Sequence, residues 1–316
     1  MARILANDGI SEESKLKLEK MGHTIIVEKI NREQLLNGEL RDFDCVIVRS
    51  ATYLDGTILE ANTGGDSKLR LVIRAGVGLD NIDTASADSL GLTVRNTPNA
   101  STNAVVELTI AHLIGNSRNF IGANLDMRKG KWTKKSLVGT ELSGKNLGLI
   151  GFGRIAKGVA KVAVILGMEV HTYDPFVTDE LSKEPDVTFH DSIESLFTTC
   201  SHISVHCAMT PETNGMVNAG LVRRMPDISP NGVQCGRHIV NCSRGGILNE
   251  SDMLELLESG FLTSLGIDVF ENEPDANLDL SAHRRVSSTP HIGAATIEAQ
   301  KRIGEEIVSI ASTFFN

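Results

Sequence analysis

Short apolar runs alternate with amphipathic segments through the first hundred residues. SEESKLKLEKM (11–21) has helical periodicity and precedes Gly22, a residue suited to the left-handed conformation that ends many helices. Four apolar runs have the length and composition of buried strands. They are RILA (3–6), TIIV (24–27), CVIV (45–48) and LVIR (71–74). Strands that alternate with helices predict a parallel sheet covered by helices.

A second series of the same kind begins near the middle of the chain. Residues 101–128 predict one long helical stretch, and a polar connector follows it. The turn-rich segment 225–238 predicts an irregular loop. The other predicted elements of this series are strand LGLIG (147–151), helix RIAKGVAKVAVIL (154–166) and strands MEVHTYD (168–174), HISVH (202–206), HIVNCS (238–243), SLGIDV (264–269) and VSST (286–289).

The composition is that of a globular protein. The 316 residues suit about two domains, at roughly 100–200 residues each. No apolar run approaches the ~20 residues of a membrane helix, and the first residues lack the pattern of a signal peptide. The net charge of −9 argues against nucleic-acid binding. The five scattered cysteines predict buried thiols in a reducing, cytoplasmic compartment, with no metal site.

A glycine-rich turn joins the first strand and helix of the second series. Gly151, Gly153 and Ala156 fit G-x-G-x-x-G/A, in which glycines allow a tight turn and close approach to a pyrophosphate. The next strand ends at Asp174, 174 − 151 = 23 residues after the first glycine, where an acid binds a ribose hydroxyl. No arginine follows in DPFVT, so the pattern predicts NAD rather than NADP. The alternative is an ordinary strand–turn–helix.

Polar side chains follow three of the later predicted strands, at the sheet edge where open parallel sheets bind ligands. They are Arg244 in VNCSRGG, Asp268 and Glu273 in GIDVFENEP, and His291 in STPHIGAAT. Oxidation of a 2-hydroxy acid needs a histidine base and a carboxylate that orients it and favours its protonated form. It also needs an arginine that binds the substrate carboxylate. Taken singly, these residues could be a structural histidine, a solvated glutamate and a surface arginine.

The motifs GFGRI, NCSRGG, DVFENEP and TPHIGA resemble successive signatures of the D-isomer-specific 2-hydroxy acid dehydrogenase family, over nearly the whole chain. The resemblance is strongest to the phosphoglycerate branch, which catalyses the first step of serine biosynthesis. It implies a flavodoxin-like substrate domain, residues 1–98 plus 296–316, into which a Rossmann-type NAD-binding domain, residues 99–295, is inserted. Both domains would be doubly wound parallel α/β sheets. A homodimer through the cofactor domains is implied too, with 101–128 as a candidate contact.

The resemblance also implies roles for individual residues. The catalytic set would be Arg244, Glu273 and His291. Besides the glycines of the turn, the cofactor contacts would be Val77, Arg154, Ile155, Asp174, Cys207, Cys242, Ser243, Asp268, Gly293 and Ala294. Three features depart from the family pattern: Ala156 replaces the commoner third glycine, HCAMT (206–210) lacks the usual proline, and the 225–238 loop is several residues longer than usual.

An anionic substrate needs a local basic site in this acidic chain. Two arginines beside hydroxyl groups and backbone N–H groups suit a carboxylate and a phosphate. The candidate substrate residues are Arg49, Ser50 and Thr52 in VRSATYLD, and Arg74, Gly76 and Val77 in VIRAGVGLDNID. Alternatively, Arg49 and Arg74 pair with Asp80 or Asp83. Because only 316 − 291 = 25 residues follow His291, we expect no C-terminal regulatory domain.

Three functions remain open at this point. The first is phosphoglycerate oxidation, and the second is the same chemistry on a smaller acid such as glyoxylate or hydroxypyruvate. The third is nucleotide sensing, because some relatives act as transcriptional corepressors. Formate oxidation is disfavoured, since that branch pairs its histidine with glutamine and this chain has Glu273.

Overall fold

The computed structural model describes residues 1–177 and 184–315. The chain divides into two compact units: unit 1 is Met1–Thr102 with Ala294–Asn316, and unit 2 is Asn103–Gly293. Unit 2 is therefore an insertion in the sequence of unit 1. Residues 178–183 of the predicted cofactor domain and Asn316 of the predicted substrate domain lie outside the described residues.

Unit 1 is built on a parallel sheet. Within the described ranges the sheet has five strands in the order β2-β1-β3-β4-β5, the flavodoxin-like order predicted. The elements are β1 (Arg3–Ala6), α1 (Glu12–Lys20), β2 (Thr24–Val27), α2 (Arg32–Leu36), β3 (Cys45–Val48), α3 (Gly56–Ala61), β4 (Leu71–Arg74), α4 (Thr84–Ser89), β5 (Thr93–Asn96) and, at the end of the chain, α12 (Ile297–Phe315).

Both faces of this sheet are covered, which explains why its central strands are continuously apolar. In β3, Val46 packs into a buried cluster that includes Ile58 of α3. The next residue, Ile47, points to the opposite face and packs into a cluster with Leu18 of α1 and Ile307 of α12. The C-terminal helix thus completes the core of the N-terminal residues.

Unit 2 is built on a second parallel sheet, whose described strands have the order β12-β11-β10-β9-β6-β7-β8. The predicted fold class, two doubly wound parallel α/β sheets, is confirmed. The elements are α5 (Thr102–Ser117), α6 (Phe120–Arg128), a 3-10 helix (Lys134–Ser136), β6 (Asn146–Ile150), α7 (Arg154–Ile165), β7 (Glu169–Tyr173), β8 (Val187–Phe189), α8 (Ile193–Thr199), β9 (His202–Val205), α9 (Ala219–Val222), β10 (His238–Asn241), α10 (Glu250–Glu258), β11 (Ser264–Ile267), α11 (Leu278–Ser281) and β12 (Val286–Ser288).

The single helical stretch predicted over residues 101–128 is wrong. It is two helices, α5 and α6, separated at Asn119, which has a φ of +52°. Asparagine tolerates this left-handed conformation better than most residues do. The carbonyl of Ser117, near the end of α5, accepts a hydrogen bond from the backbone of Thr140 at 2.8 Å. The returning connector therefore packs on the end of α5.

Candidate active site

The glycine-rich turn lies between β6 and α7. Gly151 has a φ of +85°, and a Cβ there would be 3.1 Å from the backbone nitrogen of Cys207. Gly153 precedes α7, and no described atom lies within 4 Å of the position its Cβ would take. Ala156 is fully buried, so its small side chain lets α7 pack closely on the sheet. The turn therefore leaves open space at a helix N-terminus, where phosphate groups bind favourably.

Asp174 follows β7 and contacts the same turn. Its Oδ2 accepts a hydrogen bond from the backbone nitrogen of Phe152 at 2.8 Å, and its Oδ1 accepts one from Phe176 at 2.9 Å. Each carboxylate oxygen has a second lone pair. Asp174 can therefore fix the turn and still accept a hydrogen bond from a ribose hydroxyl.

The loop after β10 carries Arg244 and is fixed by hydrogen bonds to the buried side chain of Asn241. The side chain of Asn241, 1% exposed, accepts hydrogen bonds from the backbone and hydroxyl of Ser243 and donates to the carbonyl of Arg244 at 2.8 Å. A Cβ on Gly245 would lie 1.8 Å from the carbonyl oxygen of Phe270, so this position excludes every other residue. The Arg244 loop consequently lies against the backbone that leads to Glu273.

Asp268 holds the loop that carries His291. Its side chain is buried, and Oδ1 accepts hydrogen bonds from the Thr289 hydroxyl at 2.6 Å and the Ile292 backbone at 2.8 Å. Oδ2 accepts a hydrogen bond from the backbone of Gly293 at 2.8 Å. The loop is thus fixed on both sides of His291, whose own φ is +52°.

Glu273 and His291 form a close pair. Nδ1 of His291 lies 2.6 Å from Oε2 of Glu273, while Oε1 accepts a hydrogen bond from the backbone of Phe270 at 3.0 Å. Partial burial acts to raise the pKa of Glu273. The hydrogen bonds from His291 and Phe270, with the charges of His291 and Arg244, outweigh it, so the pKa falls below its usual value. An ionised carboxylate only accepts, so Nδ1 carries hydrogen and Nε2 is the available base.

A cavity of about 310 Å³ adjoins this pair. Its lining combines apolar groups with the carboxylate and the imidazole, so it keeps one side of the pair accessible to small molecules. The lining residues are Phe270, Glu273, Pro274, Ala276, Ser281, Ser288, Thr289, Pro290 and His291.

The remaining cofactor residues implied by the resemblance differ in their surroundings. Arg154 is exposed in the first turn of α7, and Ile155 is half-buried beside it. Burial raises the pKa of Cys207 to about 11 and that of Cys242 to about 12, so both side chains are neutral thiols. Cys242 lies in the hydrophobic core. Any contact between Cys242 and the cofactor would therefore have to be made by the Cys242 backbone.

In unit 1 the residues after β3 form a dense polar network. The Thr52 side chain is buried, and its hydroxyl donates to Asp8 and accepts from Asn7 and Lys29, each at 2.8 Å. These three bonds use the full capacity of a hydroxyl group. The side chain of Thr52 therefore organises the loop, while Ser50 is exposed.

Arg49 is held at its backbone and at its guanidinium. Its backbone nitrogen donates to Asp8 at 2.7 Å, and its carbonyl accepts from the side chain of Asn81 at 2.7 Å. Its guanidinium donates to the side-chain oxygen of Gln300 in α12. Asp83, proposed above as an alternative partner, caps α4 by accepting a hydrogen bond from the backbone of Ser86 at 2.9 Å.

The second substrate segment follows β4. The guanidinium of Arg74 lies over Gly76, where a Cβ would be 1.4 Å from its Nη1. The carbonyl of the next residue, Val77, accepts a hydrogen bond from Asn96 at 2.5 Å. Gly76 has a φ of +155°, a conformation that favours glycine, so the backbone constrains this position whether or not a ligand binds there.

Sequence reasoning missed Asn241 and Gln300. Asn241 stands inside the NCSRGG motif, so a buried asparagine at a strand end was a usable signal. Gln300 is 251 residues from Arg49 in sequence, and helical periodicity gives no indication of that contact.

In the part of the chain that the structure describes, no three His, Cys, Asp or Glu side chains come together as a metal site. None of the described helices is long and apolar enough to cross a membrane.

Comparisons with known proteins identify the family of this chain. Residues 110–293 match the D-isomer specific 2-hydroxyacid dehydrogenase, NAD binding domain. The chain is 37% identical over 311 residues to a hydroxypyruvate reductase of Thermotoga maritima, covering 97% of this chain and 96% of that protein. It is 36% identical over 304 residues to a D-3-phosphoglycerate dehydrogenase of Methanocaldococcus jannaschii, covering 96% of this chain and 56% of that one. The chain therefore spans about half the length of the phosphoglycerate dehydrogenases it matches.

A solved structure is similar over the whole chain. The NAD-dependent formate dehydrogenase of Staphylococcus aureus, in complex with NAD, has a TM-score of 0.84 at 27% identity, covering 100% of this chain and 96% of that one. The family match over residues 110–293 and the full-length relative lead to one conclusion: this chain belongs to the D-isomer-specific 2-hydroxyacid dehydrogenase family and contains its NAD-binding domain.

Proposed function

We propose that this protein oxidises a D-2-hydroxy acid with NAD, and that D-3-phosphoglycerate, giving 3-phosphohydroxypyruvate, is its preferred substrate. One observation carries the proposed chemistry: Nδ1 of His291 lies 2.6 Å from Oε2 of Glu273. The substrate preference is argued separately below, from Arg49 and Arg74. The pairing leaves Nε2 as a base whose orientation is set by a carboxylate. That is the group that oxidation of an alcohol requires.

The residues around the glycine-rich turn fit a dinucleotide. Open space in front of Gly153 and the N-terminus of α7 suit the pyrophosphate. Asp174 has spare acceptor capacity for a ribose hydroxyl and, as an anion, disfavours a 2′-phosphate. These residues and the others predicted from the resemblance would hold NAD, which supplies the hydride acceptor when bound.

The protein groups would divide the rest of the reaction among them. Nε2 of His291 takes the hydroxyl proton as the hydrogen on C2 leaves as hydride. Glu273 holds Nδ1 and stabilises the imidazolium that forms. Arg244 binds the substrate carboxylate through two N–H groups, a geometry to which a guanidinium is suited. In the reverse direction His291 returns the proton.

The proposed domain roles follow the same division. Unit 2 would be the NAD-binding domain, 99–295 as predicted, and unit 1 the substrate domain, 1–98 with 296–316. Arg49 and Arg74 would bind the substrate phosphate, because both guanidinium groups stand at strand ends of unit 1. Ser50, Gly76 and Val77 remain proposed substrate contacts, and Thr52 would act through the loop that it organises.

A substrate panel tests this proposal. The purified protein is given D-3-phosphoglycerate, D-glycerate, D-lactate and formate with NAD or NADP, and absorbance of the reduced nicotinamide is followed. We expect the highest kcat/KM with D-3-phosphoglycerate and NAD. An equal kcat/KM for D-glycerate would show that the substrate phosphate is not recognised. No turnover of any hydroxy acid would favour a nucleotide-sensing role.

Hydroxypyruvate or glyoxylate reduction is the second candidate. It is favoured by the Thermotoga maritima hydroxypyruvate reductase, which this chain matches over 96% of its length. The two candidates share the chemistry at His291 and differ in the group beyond C2. The panel run in reverse, with hydroxypyruvate and glyoxylate against 3-phosphohydroxypyruvate, separates them.

We also propose a homodimer formed through α5 and α6, in a cytoplasmic enzyme. These helices expose Ile114, Phe120 (63% exposed), Leu125 and Met127, an unusual number of large apolar side chains for one surface segment. A second copy of the same face would cover them. Light scattering of the wild type and of Phe120→Asp tests this: we expect a dimer and a weakened dimer, and a monomeric wild type would contradict it.

A further inference from the structure

Arg49 and Gln300 contact each other within unit 1, and the chemistry of the contact fixes how the amide is turned. A guanidinium only donates hydrogen bonds, so the amide oxygen of Gln300 must face Arg49. The amide nitrogen then donates to the carbonyl of Ala294 at 2.9 Å. Both ends of the Gln300 side chain are therefore engaged, and the residue is a fixed support for the arginine.

The support is neutral, although carboxylates are close by. Asp8 accepts the backbone N–H of Arg49 at 2.7 Å, but its charge is paired with Lys29. Burial acts to raise the pKa of Asp8, and the hydrogen bonds from Lys29, Arg49 and Thr52 lower it further than burial raises it. Among the ion pairs of residues 1–177 and 184–315, none involves Arg49. The guanidinium is thus oriented without being neutralised.

The surroundings give this cation room for a ligand. A cavity of about 320 Å³ is bordered by Arg49, Gln300 and the buried face of α12. Asp8, whose charge is paired with Lys29, also borders this cavity. A charge-assisted hydrogen bond from Arg49 to an anion would be formed at the edge of this cavity, where partial burial strengthens it.

We propose that Gln300 is a positioning residue that determines specificity: it orients Arg49 while leaving its charge available to the phosphate of the substrate. The inference rests on the proposed function for the identity of the substrate, but not for the role of the contact. A glutamate at position 300 would have the same shape and would pair with Arg49, competing with the ligand. Neutrality at this position is therefore the property to test.

Three variants separate charge from position. Gln300→Glu adds the competing carboxylate. Gln300→Met keeps the length and removes both hydrogen bonds without adding charge. Gln34→Glu makes the same charge change on α2, at the N3 position of a capping box; it keeps the contact with the Asn31 backbone and loses the exposed one from the Gln34 amide to Glu39. All three are compared with the wild type by circular dichroism before use.

Two readouts are needed, and one does not depend on catalysis. The first is kcat/KM with NAD for D-3-phosphoglycerate and for D-glycerate. The second is binding of inorganic phosphate, titrated by ³¹P NMR without substrate. We expect Gln300→Glu to weaken phosphate binding by about tenfold or more and to raise the KM for D-3-phosphoglycerate by a similar factor, as the loss of a charge-assisted contact should. In Gln300→Glu, kcat/KM for D-glycerate should fall less than kcat/KM for D-3-phosphoglycerate. Gln34→Glu should stay near wild type with both substrates, and Gln300→Met should lie in between.

The outcomes are distinguishable. If the wild type does not oxidise D-3-phosphoglycerate but Gln300→Glu loses phosphate binding, the proposed substrate is wrong and the role of Gln300 is supported. Unchanged phosphate binding in Gln300→Glu would overturn the inference, whatever the enzyme oxidises. Equal losses in Gln300→Glu and Gln300→Met would overturn it as well, because position alone would then account for the effect.

Discussion

The two units hold the side chains at their strand ends with partners of opposite character. In unit 2 the imidazole of His291 is 2.6 Å from the carboxylate of Glu273. In unit 1 the guanidinium of Arg49 contacts the neutral amide of Gln300, which is itself anchored to Ala294. A carboxylate stabilises a proton on its partner, whereas an amide orients a cation and leaves its charge unchanged. The partner, more than the side chain itself, distinguishes the proposed proton-transfer site from the proposed anion-binding site.

The largest effect expected from this comparison is at His291. In His291→Ala the base is removed, so kcat should fall by about 100-fold or more, the usual contribution of a positioned acid–base group. The glycine-rich turn and Asp174 are untouched, so NAD affinity measured by calorimetry should stay as in the wild type. A kcat close to wild type would show that unit 2 does not hold the base.

Asp268 is a second carboxylate of the same loop region, but it is buried and holds backbone rather than an imidazole. Asp268→Asn replaces one acceptor oxygen with a donor, so a buried N–H loses its partner. The free energy of unfolding should fall by about 1–3 kcal/mol, measured by urea denaturation followed by circular dichroism. Asp275→Asn, an exposed change in the same loop, is the control and should shift it by no more than about 0.5 kcal/mol. Equal effects would mean that Asp268 does not hold the His291 loop.

Asp174 is a third carboxylate, and its proposed partner is a ligand instead of a side chain. The wild type should prefer NAD over NADP by at least about tenfold in kcat/KM, or about 1.4 kcal/mol, because Asp174 repels a 2′-phosphate. Asp174→Asn keeps an acceptor for the backbone N–H of Phe152 and removes the negative charge, so the preference for NAD over NADP should become smaller. Equal efficiency of the wild type with both cofactors would contradict the assignment.

The smallest effect expected is a shift in pH dependence. Glu273 has a lowered pKa, so it is already ionised within its usual titration range and keeps a negative charge beside His291 throughout the working pH range. Oxidation is proposed to need the neutral imidazole, and Glu273→Gln removes the negative charge beside it, so the acidic limb of kcat/KM should move to lower pH in this variant. Asp275→Asn should leave the limb in place. If the acidic limb of Glu273→Gln moves to higher pH instead, the Glu273 carboxylate does not favour the protonated imidazole as proposed.

Much of the fold could be predicted from the sequence because parallel strands buried on both faces are continuous apolar runs. CVIV and LVIR have the bounds of β3 and β4 as predicted. Helices such as α9 (Ala219–Val222) and α11 (Leu278–Ser281) were not predicted, since four residues are too few for a helical period. The break at Asn119 depends on the contact between Ser117 and Thr140, which no local pattern reveals.

The candidate site also has features that the sequence could predict and others that only the structure shows. Arg244, Glu273 and His291 could be chosen as candidates because each follows a strand inside a recognisable motif, and the structure brings Glu273 and His291 together. The hydroxyl of Thr52 looked available from its sequence neighbours, and it is fully used by Asp8, Asn7 and Lys29. Hydrogen-bond saturation is a tertiary property, so only the structure could show it.

The measurement that tests the account most directly is a double-mutant cycle on Glu273 and His291. Steady-state kcat is measured for the wild type, Glu273→Gln, His291→Ala and the double variant with the preferred hydroxy acid. Because Glu273 is proposed to act through His291, the double variant should be no slower than His291→Ala, as coupled catalytic residues are not additive. If the two losses multiply instead, Glu273 and His291 do not act as a pair, and the proposed mechanism is contradicted.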